Sequence, residues 1–244
     1  MELKWLIPLC IALAGCAREQ WDDCLTSTGP MRREERTLAP FHAVDVADRI
    51  DVVLEDRAVG TVALDAGRSL LPQLETVVEN GVLVVRNGNR CNWVRSYRPR
   101  ITLFVPVRGV ERLVLRGSGA VSGTDTIRCE RFVVEQWGGE GTVSLCLDVE
   151  HLTCALHSGV GDAILRGRCN AVADLYSGVL GAIDASGLRA AEVNVNNSGV
   201  ADIRCWSEER LAVQVLSRGD VYYRGAPAII QQDIRGSGGV YRLD

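Results

Sequence analysis

The chain has 244 residues, a formal net charge of −4, 47% hydrophobic residues and only 5% aromatic ones. This balance lacks the basic footprint of a nucleic-acid binder, so no nucleic-acid partner is expected. Glycine occurs 25 times, and recurring Val and Leu between glycines favour short strands and tight turns over a helical bundle.

The first element is the opening MELKWLIPLCIALAGC. Its apolar run, Trp5 to Ala14, is shorter than the roughly 20 residues a membrane-spanning helix needs, and it fits the core of a secretory signal. Leu13-Ala14-Gly15-Cys16 ends the run and resembles a bacterial lipobox, in which cleavage precedes the cysteine and that cysteine is acylated. The expectation is a signal peptide over 1–15, lipidation at Cys16 and a tether over 16–36. Acyl chains supply about 0.8 kcal/mol per buried CH2, so the membrane becomes a partner through the lipid. Ala17, rather than Asp, follows the cysteine. By resemblance to envelope lipoproteins, this points to the outer membrane.

Nine cysteines are present. Loss of Cys10 with the signal and acylation of Cys16 leave an odd number, so at least one thiol is free or paired between chains. Cys24 and Cys91 lie in polar, loop-like stretches, and export permits oxidation, so they are the expected disulfide. Cys129, Cys146, Cys154, Cys169 and Cys205 sit in short apolar strands, where cysteine behaves as a small apolar residue. No CxxC or Cys/His cluster has zinc spacing, and neither a metal nor a cofactor is expected.

From residue 37 the pattern alternates, as in FHAVDVADRIDVVLED, and ETVVENGVLVVRNG reads as a hairpin turning at Asn80-Gly81. Residues 37–112 are expected to form a β-rich cap. A regular repeat then runs over 113–244. Ser118, Ser158, Ser177, Ser198, Ser217 and Ser237, with Gly138 filling a gap, recur at steps of 20, 20, 19, 21, 19 and 20 residues. Such a period marks a solenoid. The runs between turn signals, such as Ala163-Ile164-Leu165, suit strands and are too short for helices. The expected fold is all-β: a parallel β-solenoid, or β-helix, of about seven 20-residue turns with a β-rich N-terminal cap. Glycine at each corner is expected to supply positive φ, and the neighbouring serine to bond the local backbone.

Taken together, RTLAPFHAVDVADRIDVVLED, LETVVENGVLVVRNG, ITLFVPVRGVERLVLRGSGAV and the Ser-Gly corners resemble the putative auto-transporter adhesin, head GIN domain family, over roughly residues 36–242. The resemblance implies an exported β-solenoid acting as a non-enzymatic binding or adhesion-like surface module. It supplies no catalytic residues to carry over.

Two groups of side chains are candidate sites. Trp137, His157, Tyr176 and Asn197 each precede a corner, and strand alternation turns them outward in one column. Stacked rings there suit the apolar face of a sugar, so a glycan or other surface ligand is the expected partner. Asp162 and Asp202 share a position four after a corner serine. They are the alternative acidic site of a carbohydrate-active lyase or hydrolase, which would need two carboxylates at a set separation. A solenoid's end strand is also an open edge, so self-association through end strands is a third expected interaction.

Overall fold

The computed structural model describes residues 27–89 and 100–243. Cys16, Cys24 and Cys91 lie outside the described residues. The chain forms a parallel β-solenoid of about seven turns, as the spacing predicts.

The regular part of the coil contains β8 (Arg112–Arg116), β9 (Val121–Gly123), β10 (Ile127–Trp137), β11 (Val143–Ser158), β12 (Ala163–Ser177), β13 (Ile183–Asn197), β14 (Ile203–Val215), β15 (Val221–Arg224), β16 (Ile229–Ile234) and β17 (Val240–Arg242). Every pairing among these strands is parallel, from β8–β10 through β14–β16 and β15–β17. Alternation places one set of residues inside. Leu113, Val134, Cys154, Leu175, Val195 and Val213 are buried, as are Val143, Ala163, Ile183, Ile203 and Val221. In these two columns each turn stacks an apolar residue on an apolar residue.

The N-terminal third is interleaved with that coil. It comprises β1 (Met31–Thr37), β2 (Ala43–Ala47), β3 (Ile50–Glu55), β4 (Thr61–Gly67), β5 (Leu74–Glu79), β6 (Val82–Asn87) and β7 (Ile101–Pro106). β2 lies between β6 and β8, and β3 lies between β7 and β9, all in parallel. Chain order and stacking order thus differ. An early pair of strands is flanked on one side by strands that come later and on the other by the start of the repeats.

The far end is closed by antiparallel pairs, β1–β4, β4–β7 and β5–β6. The β5–β6 turn has Asn80 at φ 51° and Gly81 at φ 76°, the two positive values that a tight hairpin of this sequence requires. Leu70, Leu71 and Leu74 are buried under the cap. Arg36 fastens them, donating to the carbonyls of Leu71 at 3.0 Å and Leu74 at 2.5 Å. Residues 31–36, assigned to a tether by composition, are paired along β4; their exposed charges fit an edge strand, with Arg33 3.3 Å from Glu55.

The corner glycines differ from expectation in their physical reason. Gly138 and Gly159 do have positive φ. Gly119, Gly141, Gly161 and Gly181 do not; each instead sits directly on the backbone below. A Cβ on Gly119 would strike the Ile50 carbonyl, one on Gly141 the Gly119 carbonyl, one on Gly161 the Gly141 carbonyl and one on Gly181 the Gly161 carbonyl. The corner is tight because consecutive turns touch backbone to backbone there, and space rather than dihedral freedom selects glycine.

Candidate functional site

The outward face just before the corner carries the candidate ring column. Trp137 and His157 stack with centroids 3.9 Å apart and planes 15° from parallel. Tyr176 follows at 5.4 Å from His157, tilted by 41°. The structure therefore brings three of the four candidates together.

Strand register explains how they meet. A bulge lets Trp137 pair with Ser158 rather than His157, and a second irregularity between Val149 and His151 shifts β12, so that Tyr176 pairs with Ala155. The small Ala155 leaves room for the tyrosine to lean towards the imidazole. Gly178 also clears space, since a Cβ there would come within 2.7 Å of the Tyr176 hydroxyl. Trp137 remains 44% exposed, so the stack presents an open ring edge and face to solvent. His157 Nε2 is 3.7 Å from Glu135, whose carboxylate accepts bonds from Arg112 at 2.5 and 3.1 Å.

Asn197 does not join the rings. The shifted register puts it in the inward column Leu115, Gln136, Leu156, Ser177, Asn197 and Val215. It is fully buried. Its amide donates to the carbonyls of Ala201 at 3.0 Å and Asp220 at 3.2 Å, and its oxygen accepts from the Gly199 amide at 3.1 Å. Ser177, also buried, donates to the Gly181 carbonyl, and Gln136 donates to the Gly141 carbonyl. These inward polar groups satisfy corner carbonyls that the bend takes out of the ladder. The one-residue shift thus separates Ser177 from the more accessible corner serines such as Ser158.

The acidic candidates serve the backbone in the same way. Asp162 accepts from the Ala182 amide at 2.8 Å, and Asp202 from the Asp220 amide at 3.1 Å. Asp220 repeats the contact with Gly239 at 2.8 Å. Ala182 occupies the turn between Asp162 and Asp202, so the two carboxylates are members of an interrupted capping column. Among the described residues, no group of three or more His, Cys, Asp or Glu could hold a metal ion.

Beside the rings lies a feature that the residue-before-corner rule misses. Two outward columns run across the turns: Thr153, Asp174, Asn194, Ala212 and Gln231, and next to it Ala155, Tyr176, Asn196, Gln214 and Asp233. All of these but Ala155 line an open groove of about 430 Å3. Asn194 donates to Asp174 at 2.8 Å, Asn196 to Gln214 at 2.9 Å, and Gln214 to Asp233 at 3.0 Å. Hydrogen bonds from Arg235 and Gln214 hold the Asp233 carboxyl below its usual range. The groove is a row of planar amide and carboxylate groups in fixed orientations, ending on the Trp137–His157–Tyr176 stack. Its signal was present in the strands as polar residues two apart, Asp174/Tyr176, Asn194/Asn196 and Gln231/Asp233, repeating at the solenoid period.

The cysteines of the repeats are packing residues for the most part. Cys154, Cys169 and Cys205 are buried, and burial pushes the Cys154 and Cys205 thiols up to about 12 and Cys169 to about 11. Cys146 is exposed.

The fold is shared with solved bacterial proteins. A putative adhesin from Bacteroides fragilis superimposes with a TM-score of 0.80 at 20% identity, over 88% of this chain and 97% of that one. A putative adhesin from Parabacteroides distasonis gives a TM-score of 0.68 at 17% identity, over 88% and 98%. A putative lipid binding protein from the same species gives 0.64 at 19% identity, over 89% and 98%. No curated protein matches. The family model described as "Putative auto-transporter adhesin, head GIN domain" matches residues 40–227, and the chain belongs to that family.

Proposed function

We propose that the chain is an exported, membrane-tethered surface module that binds glycans in the groove across β11 to β16. The observation that carries this reading is the junction of the Trp137–His157–Tyr176 stack with the amide and carboxylate row of Asp174, Asn194, Asn196, Gln214 and Asp233. Fixed planar amides and carboxylates offer paired donors and acceptors to neighbouring sugar hydroxyls. Aromatic faces supply apolar contact to the ring C–H groups. The groove volume falls within the range typical of small-ligand sites, and its open shape suits a chain that enters and leaves at either end. The family's adhesin description and the lipid-binding label of one structural relative support a surface-binding role.

The direct test is affinity. Replacing His157 and Tyr176 together by Ala should weaken binding to an envelope polysaccharide at least tenfold, since one lost order of magnitude corresponds to about 1.4 kcal/mol. The melting temperature should change little, because both side chains lie on the outer face. Unaltered affinity in the double variant would remove the aromatic stack from the account. Anchoring has its own test. Cys16→Ser should abolish fatty-acid labelling and move the protein from the membrane fraction to the soluble one. Continued labelling would show that Cys16 is not the acylated residue.

A further inference from the structure

The two ends of the solenoid are built differently. One is closed by the antiparallel strands and by Leu71, which is 2% exposed. At the other, β16 presents an edge and its inward residues stand uncovered. Ile230 stacks on Leu211 and Ile234 on Val215. Leu211 and Val215 are fully buried, whereas Ile230 is 41% and Ile234 46% exposed. Outward-facing Ile229 adds exposed apolar area on the same strand. β16 contains no Pro, no Lys and no bulge, the usual devices that blunt an edge. Its sequence, IIQQDI followed by Arg235, is close to symmetric about Gln232.

We propose that this edge pairs with β16 of a second copy of the chain, antiparallel, about a two-fold axis through Gln232. Rotation about the normal to the sheet reverses strand direction and keeps inward residues inward, so the core continues from one copy into the next. An antiparallel pair sets directly opposite residues on the same face, which admits only registers that match inward with inward. Centred on Gln232, the register sets Ile230 against Ile234 of the second copy and Gln232 against its own counterpart. It also sets the Gln231 amide against the Asp233 carboxylate, and lays the stem of Arg235 over Ile229. A shift of the centre by one residue along β16 separates the isoleucine pairs. Two amides facing across a two-fold each donate to the other, so the polar Gln232 in an otherwise apolar column acquires a partner. Gln231 and Asp233 also line the outer groove. Pairing therefore joins two grooves into one, with β16 residues from both copies at its centre.

This inference rests on the uncovered edge and its symmetry, and stands apart from the identity of the ligand. The test is sedimentation equilibrium of the full chain in density-matched detergent. The unsubstituted protein should give twice the monomer mass. The pair Ile230→Lys and Ile234→Lys should give the monomer mass with an unchanged far-ultraviolet spectrum, because both positions are open in a single copy. Gln232→Cys should form a covalent dimer on mild oxidation that reductant reverses, absent from Gln232→Ser. A monomer mass for the unsubstituted chain up to its solubility limit would overturn the proposal. So would a lysine variant that remains dimeric, or a dimer in which Gln232→Cys does not cross-link.

Discussion

Gly161→Val should destabilise the protein by about 3 kcal/mol or more, the upper range for overpacking a rigid site. For a chain of this size the melting temperature should fall by roughly 6 to 12 °C. The side chain at this corner has nowhere to go. A Cβ on Gly161 would strike the Gly141 carbonyl and the amide of the buried Gln136. Neither neighbour can yield, since Gln136 is itself bonded to that same carbonyl at 3.1 Å. The φ of Gly161 is ordinary, so the cost measures space and not dihedral strain. Ala201 lies two turns along in the same stack, with Gly219 seated on its carbonyl, and shows that one methyl can be fitted where the coil adjusts. Gly161→Ala should therefore cost less than the valine. Thermal melts of the two variants decide the point; equal melting temperatures for valine and wild type would show that the turns are not in backbone contact.

Asn197→Ala should cost about 2 to 4 kcal/mol, from the penalty of leaving buried backbone groups without partners. The substitution removes every listener at one corner: the Gly199 amide loses its acceptor, and the Ala201 carbonyl loses its donor. The Asp220 carbonyl is partly spared, because it still accepts from Ile203 at 2.9 Å. Ser177→Ala removes a single bond, to the Gly181 carbonyl at 3.2 Å, and should cost about 1 kcal/mol. Denaturant unfolding of both variants gives the ratio. Asn197→Ala as mild as Ser177→Ala would mean that water replaces the lost amide.

Much of this architecture was legible in the chain. The 20-residue recurrence of Ser-Gly identified the coil, because a solenoid must bend at the same point in each turn. Asn80-Gly81 identified its hairpin, because few other pairs hold two positive φ values. Legibility failed wherever one residue of register mattered. The irregularity near Val149 adds a residue to β12, and this turns Ser177 and Asn197 inward while Tyr176 leans across Ala155. Counting from the corner cannot detect an extra residue in mid-strand. The interleaving of β2 and β3 between later strands was hidden for a different reason. Their alternating Val and Ile fit any parallel neighbour, so sequence order gave no sign of stacking order.

The site was half visible. Rings are rare in this chain, and three of them recur in step with the corners. Asp174, Asn194, Asn196 and Gln214 read individually as ordinary polar positions on the outer face of strands. They acquire meaning only when stacking places them in adjoining columns, where each amide is oriented by its neighbour. The acidic candidates showed the reverse: Asp162 and Asp202 stood out by position, and in the fold each caps a backbone amide of the next turn.

The measurement that bears most directly on the glycan-binding groove is a screen of the full chain against a glycan array and purified envelope polysaccharides, with the reaction mixtures assayed for cleavage products. The groove predicts saturable binding to a defined set of glycans, no cleavage, and loss of that binding in the His157→Ala, Tyr176→Ala double variant. Absence of binding to every glycan, or binding that the double variant retains in full, would contradict it.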